Sequence, residues 1–168
     1  MMTLTLRKSL LSALLLVPML VLPTAQADDL NCRGTLGARS VDGDVVVPSG
    51  ATCTLSGTRV DGNVKVQRGG TLIVRNARID GNIQSEGFRS VRVSGGSVDG
   101  SIQLEQGGAV NITGVRVNGD IQLEKNRGSS VVSRNTVDGN LQCQGNSPAP
   151  TGGSNRVEGN KEDQCRRL

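Results

Sequence analysis

The stretch Arg59–Val66 reads RVDGNVKV, and Arg78–Gln84 says nearly the same thing again as RIDGNIQ. Aligning every aliphatic–[Asp/Asn/Glu]–Gly triplet places glycine at 43, 62, 81, 100, 119, 139 and 159, at successive intervals of 19, 19, 19, 19, 20 and 20 residues. A fixed interval of that length marks a solenoid, in which no unit buries its own apolar face and each must stack on its neighbours. Within a unit the apolar residues alternate, as in Val64-Lys65-Val66, Leu72-Ile73-Val74 and Val91-Arg92-Val93. A period of two means strand, and no unit carries a helical pattern. Each coil therefore holds three short strands and three turns. The fold class is all-β, a single-stranded parallel β-helix of six to seven coils of 19–20 residues.

Written beneath one another, the coils give inward columns. The first runs Val45, Val64, Ile83, Ile102, Ile121, Leu141, and two residues later comes Val47, Val66, Ser85, Leu104, Leu123, Cys143. The second strand of the coil stacks Cys53, Leu72, Val91, Val110, Val131 beside Leu55, Val74, Val93, Ile112. The third stacks Val60, Ile79, Val98, Val117, Val137, Val157. β-Branched residues dominate, as short strands around a narrow interior favour. In RVDGNV, Val60 ends one strand and Val64 begins the next, so Asp61-Gly62-Asn63 turns the corner. Asp, Asn and Gly are turn formers because glycine tolerates unusual backbone angles and the short polar side chains bond to nearby backbone. One Phe, no Trp and no Tyr beside 23 glycines exclude an aromatic-centred core.

The ends of the chain say where it goes. Arg7 and Lys8 precede an apolar run, Leu10–Leu22, which closes on Pro23 and Ala25-Gln26-Ala27. That is the pattern of a secretory signal peptide over residues 1–27, cut between Ala27 and Asp28. The run falls short of the ~20 residues that span a bilayer, and no later segment is apolar enough, which argues against a transmembrane segment in the mature chain. Leu30-Asn31 before Cys32 does not fit a lipoprotein. Removing the leader leaves 17 basic against 15 acidic residues, a net charge of +2 instead of +4, which gives no reason to expect nucleic acid as a partner. Residues 28–168 then form one β-helix domain.

Cys32, Cys53, Cys143 and Cys165 all remain in that domain. An even number of cysteines in an exported chain reads as disulfides. Their spacings of 21, 90 and 22 residues, with no histidine anywhere, do not suit zinc. Three pairings are formally open, and only the sequential one joins residues about one coil, ~5 Å, apart. It staples the first coil to the second and the last to the one before.

Outward positions stack as well. Gln84, Gln103, Gln122 and Gln142 line up between Lys65 and Glu162, with Glu86, Glu105 and Glu124 two residues further on. These seven residues form the candidate binding surface. Aligned amides bond from coil to coil, so the Gln column is expected to serve the stack as a ladder. Like charges directly opposed are destabilising, so the Glu column must be splayed, screened, or met by cations or a basic partner. Arg59, Arg78, Arg116 and Arg156 stand beside the corner column Asp61, Asp80, Asp99, Asn118, Asp138 and Glu158, and the two columns are expected to neutralise each other. In the last coil Lys161 and Asp163 replace aliphatic residues before Arg166-Arg167-Leu168, and a charged edge opposes further strand addition.

Catalytic signals are missing from the sequence. Some parallel β-helix proteins act on acidic polysaccharides, but such chemistry needs long loops to wall a cleft, and here the connections are short, with Gln144 to Asn155 as the one exception. With no histidine and one aromatic ring, neither the common acid–base group nor a sugar-stacking platform is present. The GGxGxD calcium repeat does not occur. A regular Thr face fails because Thr52 and Thr71 give way to Ser90, Ala109 and Ser130. The sequon Asn111-Ile112-Thr113 is explained by strand alternation alone. No catalytic residue, cofactor or metal ligand is assigned.

The coils VDGNVKV, IDGNIQ, VDGSIQL and VNGDIQL, within Ser40 to about Gly159, resemble those of the bactofilin-like, polymer-forming β-helix proteins of bacteria. The resemblance implies a cytoskeletal filament former without catalytic residues. The export signal, the paired cysteines and the charged last coil depart from it, and with them the cytoskeletal role. The reading is an exported bacterial relative, periplasmic or secreted and monomeric, serving as a non-enzymatic structural or binding module whose partner is an envelope polysaccharide or protein. The alternatives are a self-assembling envelope scaffold and a polysaccharide-active enzyme.

Overall fold

The computed structural model describes residues 29–168, so the expected leader and its cleavage point between Ala27 and Asp28 lie outside the described residues. Those residues form twenty strands in two sheets, every pairing between them parallel. One sheet makes the first face of the solenoid from eight strands: Leu30–Asn31, Val45–Val47, Val64–Val66, Ile83–Glu86, Ile102–Glu105, Ile121–Glu124, Leu141–Gln144 and Lys161–Asp163. Each is one coil from the next, giving about seven turns.

The twelve-stranded sheet supplies the other two faces. The second face contains Thr52–Ser56, Ala109–Thr113 and Ser130–Ser133, and the third Arg59–Val60, Arg116–Val117 and Thr136–Val137. In the third and fourth coils the expected break between them is missing. Thr71–Ile79 and Ser90–Val98 run through the corner as single strands bent at Asn76 (φ 50°) and at Gly95 and Gly96 (φ 65° and 80°). Gly96 has no alternative there, since a Cβ would lie 2.0 Å from the Ala77 carbonyl oxygen.

The first inward column stands as the period requires. Val45, Val64, Ile83, Ile102, Ile121 and Leu141 are direct register partners and all 0% exposed. One column needs correction. Val110 pairs with Ser130 and Ile112 with Val132, so Val131 faces outward and Val132 is buried. The cause is one extra residue in the preceding corner, where Glu124-Lys125-Asn126-Arg127-Gly128-Ser129 replaces Glu105-Gln106-Gly107-Gly108-Ala109. In the run Ser130-Val131-Val132-Ser133 either register points a valine inward, so corner length decides. Ser130 is buried as a result, and its hydroxyl has no hydrogen-bond partner among the described residues. Val157, in the last coil, is only half-buried.

The corners are held by side chains that bond to the next coil's backbone. At the RVDGNV corner the Asn63 N–H donates to Asp44 Oδ1 at 2.7 Å, the Asn82 N–H to Asn63 Oδ1, and the Ser101 N–H to Asn82 Oδ1. The file continues through the Asp120, Asn140 and Asn160 N–H groups, which donate to Ser101 Oγ, Asp120 Oδ1 and Asn140 Oδ1. A second corner uses buried asparagines. Asn126 Oδ1 accepts from the Gly107 N–H at 2.9 Å, Asn146 Oδ1 accepts from the Asn126 N–H, and Gln164 Oε1 accepts from the Asn146 N–H. The amide nitrogens of Asn126 and Asn146 donate to the Leu104 and Leu123 carbonyls. Asn135 and Asn155 repeat this at the third corner. Backbone groups that a tight turn leaves unpaired are thus satisfied without water. Two coils before Asn126 the second corner is filled by Phe88, which is buried and lies where a side chain on Gly107 would have to go.

Both ends are closed. Cys32 bonds to Cys53 and Cys143 to Cys165, with Cα separations of 5.5 and 5.2 Å, and this is the sequential pairing. Disulfides of this kind form in an oxidising environment. At the C-terminal end Lys161 lies beneath Leu141 and donates to the Leu168 carbonyl oxygen, while the Leu168 side chain is buried. Among the described residues no helix is long and apolar enough to cross a membrane.

Candidate functional site

The first face carries the residues singled out in the sequence. Because its strands alternate, Val64 and Val66 point inward and Lys65 outward, and the same holds coil by coil. Register partners bring Lys65, Gln84, Gln103, Gln122, Gln142 and Glu162 into one file about 5 Å apart. The expected amide ladder is only partly formed. Gln84 Nε2 donates to Gln103 Oε1 at 3.0 Å and Gln142 Nε2 to Glu162 Oε2 at 3.1 Å. Gln122 breaks the chain, its amide turning to Asp120 Oδ2 at 3.5 Å. Asp120 stands where the neighbouring coils have uncharged Ser101 and Asn140, so its carboxylate draws the amide away from the ladder.

Glu86, Glu105, Glu124 and Gln144 make the next outward file. The carboxylates are separated in part by cations outside the file. Glu86 meets Arg68 at 3.6 Å, Glu124 bonds to Lys125, and Glu105 has no cation within ion-pair distance among the described residues. The Lys125 ammonium is held above its ordinary pKa, mainly by its hydrogen bond to Glu124, with the charge of Glu105 adding to the effect. Two shallow hollows lie along this face. One of about 170 Å³ is bounded by Glu105, Glu124, Gln142 and Glu162, and another of about 340 Å³ by Lys65, Gln84, Glu86 and Glu105. The arrangement offers amide donors and acceptors and carboxylates at rung spacing, on a surface without high walls.

Lys65 closes the N-terminal side of the file by pairing with Asp44. The Asp44 carboxyl is pushed below its ordinary range, first by the Lys65 hydrogen bond and then by the Asn63 N–H, with burial opposing both. On the third face the anticipated arginine–aspartate network is present. Arg59 bridges Asp61 at 2.9 Å and Asp80 in the next coil at 2.6 Å, and Arg78 likewise bridges Asp80 and Asp99. Arg116 reaches Asn118 and Asp138, whereas Arg156 forms no such bridge among the described residues.

The sequence reading passed over the buried asparagines of the second and third corners, whose signal was there to find. Asn126 and Asn146 are one coil apart, as are Asn135 and Asn155. Comparison of the chain with protein-family models, with characterised proteins and with solved structures returns no match.

Proposed function

We propose that the protein is a non-enzymatic β-solenoid, exported through a cleaved leader, that serves as a structural or binding module of the cell envelope or the extracellular space. The observation that carries this reading is the unbroken corner file from Asp44 to Asn160, which fixes the spacing of all coils while the disulfides lock the two ends. A body of that kind holds repeated surface groups at fixed intervals, which suits recognition of a repeating partner. Catalysis receives no comparable support. Among the described residues the chain crosses between strands in short corners, and the longest, from Gln144 to Thr151, adds only Gln144 to the lining of the hollow beside Glu124 and Glu162. The oxidising environment marked by the cystines agrees with a periplasmic or extracellular site of action. The bactofilin-like coils within Ser40 to Gly159 are part of the same reading, with filament formation opposed by the charges at Lys161, Glu162 and Asp163.

The test is an array of bacterial glycans and envelope proteins probed with the purified, oxidised protein, followed by chromatography of each bound glycan. Binding without products is the expected result. Shortened glycan chains would identify an enzyme, and a protein that binds nothing and assembles into polymers would identify a scaffold.

A further inference from the structure

Charge is unevenly distributed around the rod. The second face and its flanking corners comprise residues 33–39, 49–58, 68–77, 87–96, 106–115, 125–135 and 145–155, and they contain Arg33, Arg39, Arg68, Arg75, Arg89, Arg92, Lys125, Arg127 and Arg134 but no Asp or Glu. The carboxylates lie on the first and third faces, at the remaining corners and at the chain ends. On the third face Arg59, Arg78 and Arg116 are each bridged to aspartate. At one edge Arg68 and Lys125 meet Glu86 and Glu124, whereas Arg33, Arg39, Arg75, Arg89, Arg92, Arg127 and Arg134 are exposed and have no carboxylate within ion-pair distance among the described residues.

Their placement follows from the register. Arg92 sits mid-face, between Ile73 and Asn111 of the adjoining coils. Arg75 lies one coil away and two residues along, since its partner is Ser94, which puts the two about 8 Å apart between Cα atoms. Arg89 and Arg127 stand at one edge of the face, and Arg134 at the other beside a hollow of about 360 Å³ bounded by Ser133, Gly152 and Ser154. Thr54, Ser94, Asn111 and Thr113 fill the outward positions between them with hydroxyl and amide groups. The result is a flat cationic field, fixed in spacing and interleaved with neutral hydrogen-bonding groups.

Unpaired guanidinium groups recognise carboxylate, sulfate or phosphate through paired N–H donors. The face lacks what other polyanions need. Single-stranded nucleic acid is gripped by stacking on aromatic rings, and the only ring, Phe88, is buried. Entry into a lipid surface needs exposed apolar side chains, and Ile73 and Val131 are both half-buried. We propose that the second face is a docking surface for an acidic polysaccharide, with Arg75, Arg92 and Arg127 engaging its anionic groups and the intervening hydroxyls and amides its sugar hydroxyls. This deepens the binding-module reading by giving the module a face and a ligand class.

The test measures the oxidised protein on immobilised polygalacturonate and dextran sulfate, with neutral dextran as control, at low and high salt. Binding to both acidic glycans, weakened by salt, and none to dextran is expected. The variant Arg75→Gln/Arg92→Gln/Arg127→Gln loses about tenfold or more, as three exposed ion pairs allow. Arg59→Gln/Arg78→Gln/Arg116→Gln, which removes the same charge from the third face, stays within about twofold. Circular dichroism verifies folding, and the single charge reversal Arg92→Glu serves if the triple variant does not fold. Equal losses in both triple variants would mean that net charge, not this face, does the binding. No binding to either acidic glycan, or tighter binding to duplex DNA or anionic phospholipid vesicles, overturns the ligand class. In all those cases the array above still decides separately whether the protein is a binding module.

Discussion

Asn126→Ala is expected to cost as much stability as truncating one large aliphatic side chain of the core, although it removes a polar one. Asn126 is 0% exposed, its Oδ1 is the acceptor for the Gly107 N–H at 2.9 Å, and its Nδ2 donates to the Leu104 carbonyl at 2.9 Å. Truncation leaves both backbone groups in a corner that water does not reach. Each unmet buried group costs about 1–3 kcal/mol, so the two together come to about 2–6 kcal/mol before any void is counted. With a urea slope of about 1.5 kcal/mol per M, the unfolding midpoint falls by roughly 1.3–4 M. Far-UV circular dichroism of the oxidised protein in urea measures it, with the exposed Asn31→Ala as the reference. Asn126→Asp should cost at least as much, because a carboxylate oxygen then faces the Leu104 carbonyl. A loss below about 0.5 kcal/mol for Asn126→Ala would show that the corner is solvated and that its file of amides does not hold the coils together.

The displaced column makes a paired prediction: Val132→Ala costs about 2 kcal/mol and Val131→Ala under about 0.5 kcal/mol, whereas the simple count of coils demands the reverse. In the same strand Ser130→Ala raises stability by up to about 1 kcal/mol, since it deletes a buried hydroxyl without a partner. Replacing Cys143 and Cys165 with serine opens a loop of 22 residues and lowers unfolding stability by about 3 kcal/mol, read as a lower thermal midpoint, with dithiothreitol abolishing the difference. Asp44 sets part of the acid limb. Its folded-state pKa is lowered, so its contribution is complete above the unfolded chain's value and is lost as pH falls through the folded one. The stability of the native chain should therefore drop more steeply below about pH 4 than that of Asp44→Asn, as urea midpoints across pH would record.

Much of this fold is legible in the chain because a β-solenoid writes its geometry as a period. The glycines from 43 to 159 give the coil length, and alternation gives the inward columns. Cysteine spacing gives the pairing, because one coil in sequence is one strand spacing in space. What resisted reading were the places where local chemistry competes with the period. The extra residue after Glu124 shifted the next strand, and two adjacent valines hid the shift. Buried Asn126, Asn135, Asn146 and Asn155 read as ordinary polar turn residues, since their burial depends on the coil stacked beside them. The amide file broke at Gln122 through a neighbour two residues away. The arginines of the second face do not recur from one coil to the next, Arg89 and Arg127 sharing a column only two coils apart, so column counting passed over them, and only the assembled face brings them together.

The most direct test of the stacked architecture is a methyl–methyl nuclear Overhauser spectrum of the oxidised protein with labelled isoleucines. Strands about 4.8 Å apart place Ile83 against Ile102 and Ile102 against Ile121, whereas Ile83 and Ile121 are two strands, roughly 10 Å, apart. Strong cross-peaks for the first two pairs and a weak or missing one for the third are the expected pattern. Missing cross-peaks between Ile83 and Ile102, or strong ones between Ile83 and Ile121, would contradict a coil of nineteen residues and every surface built upon it.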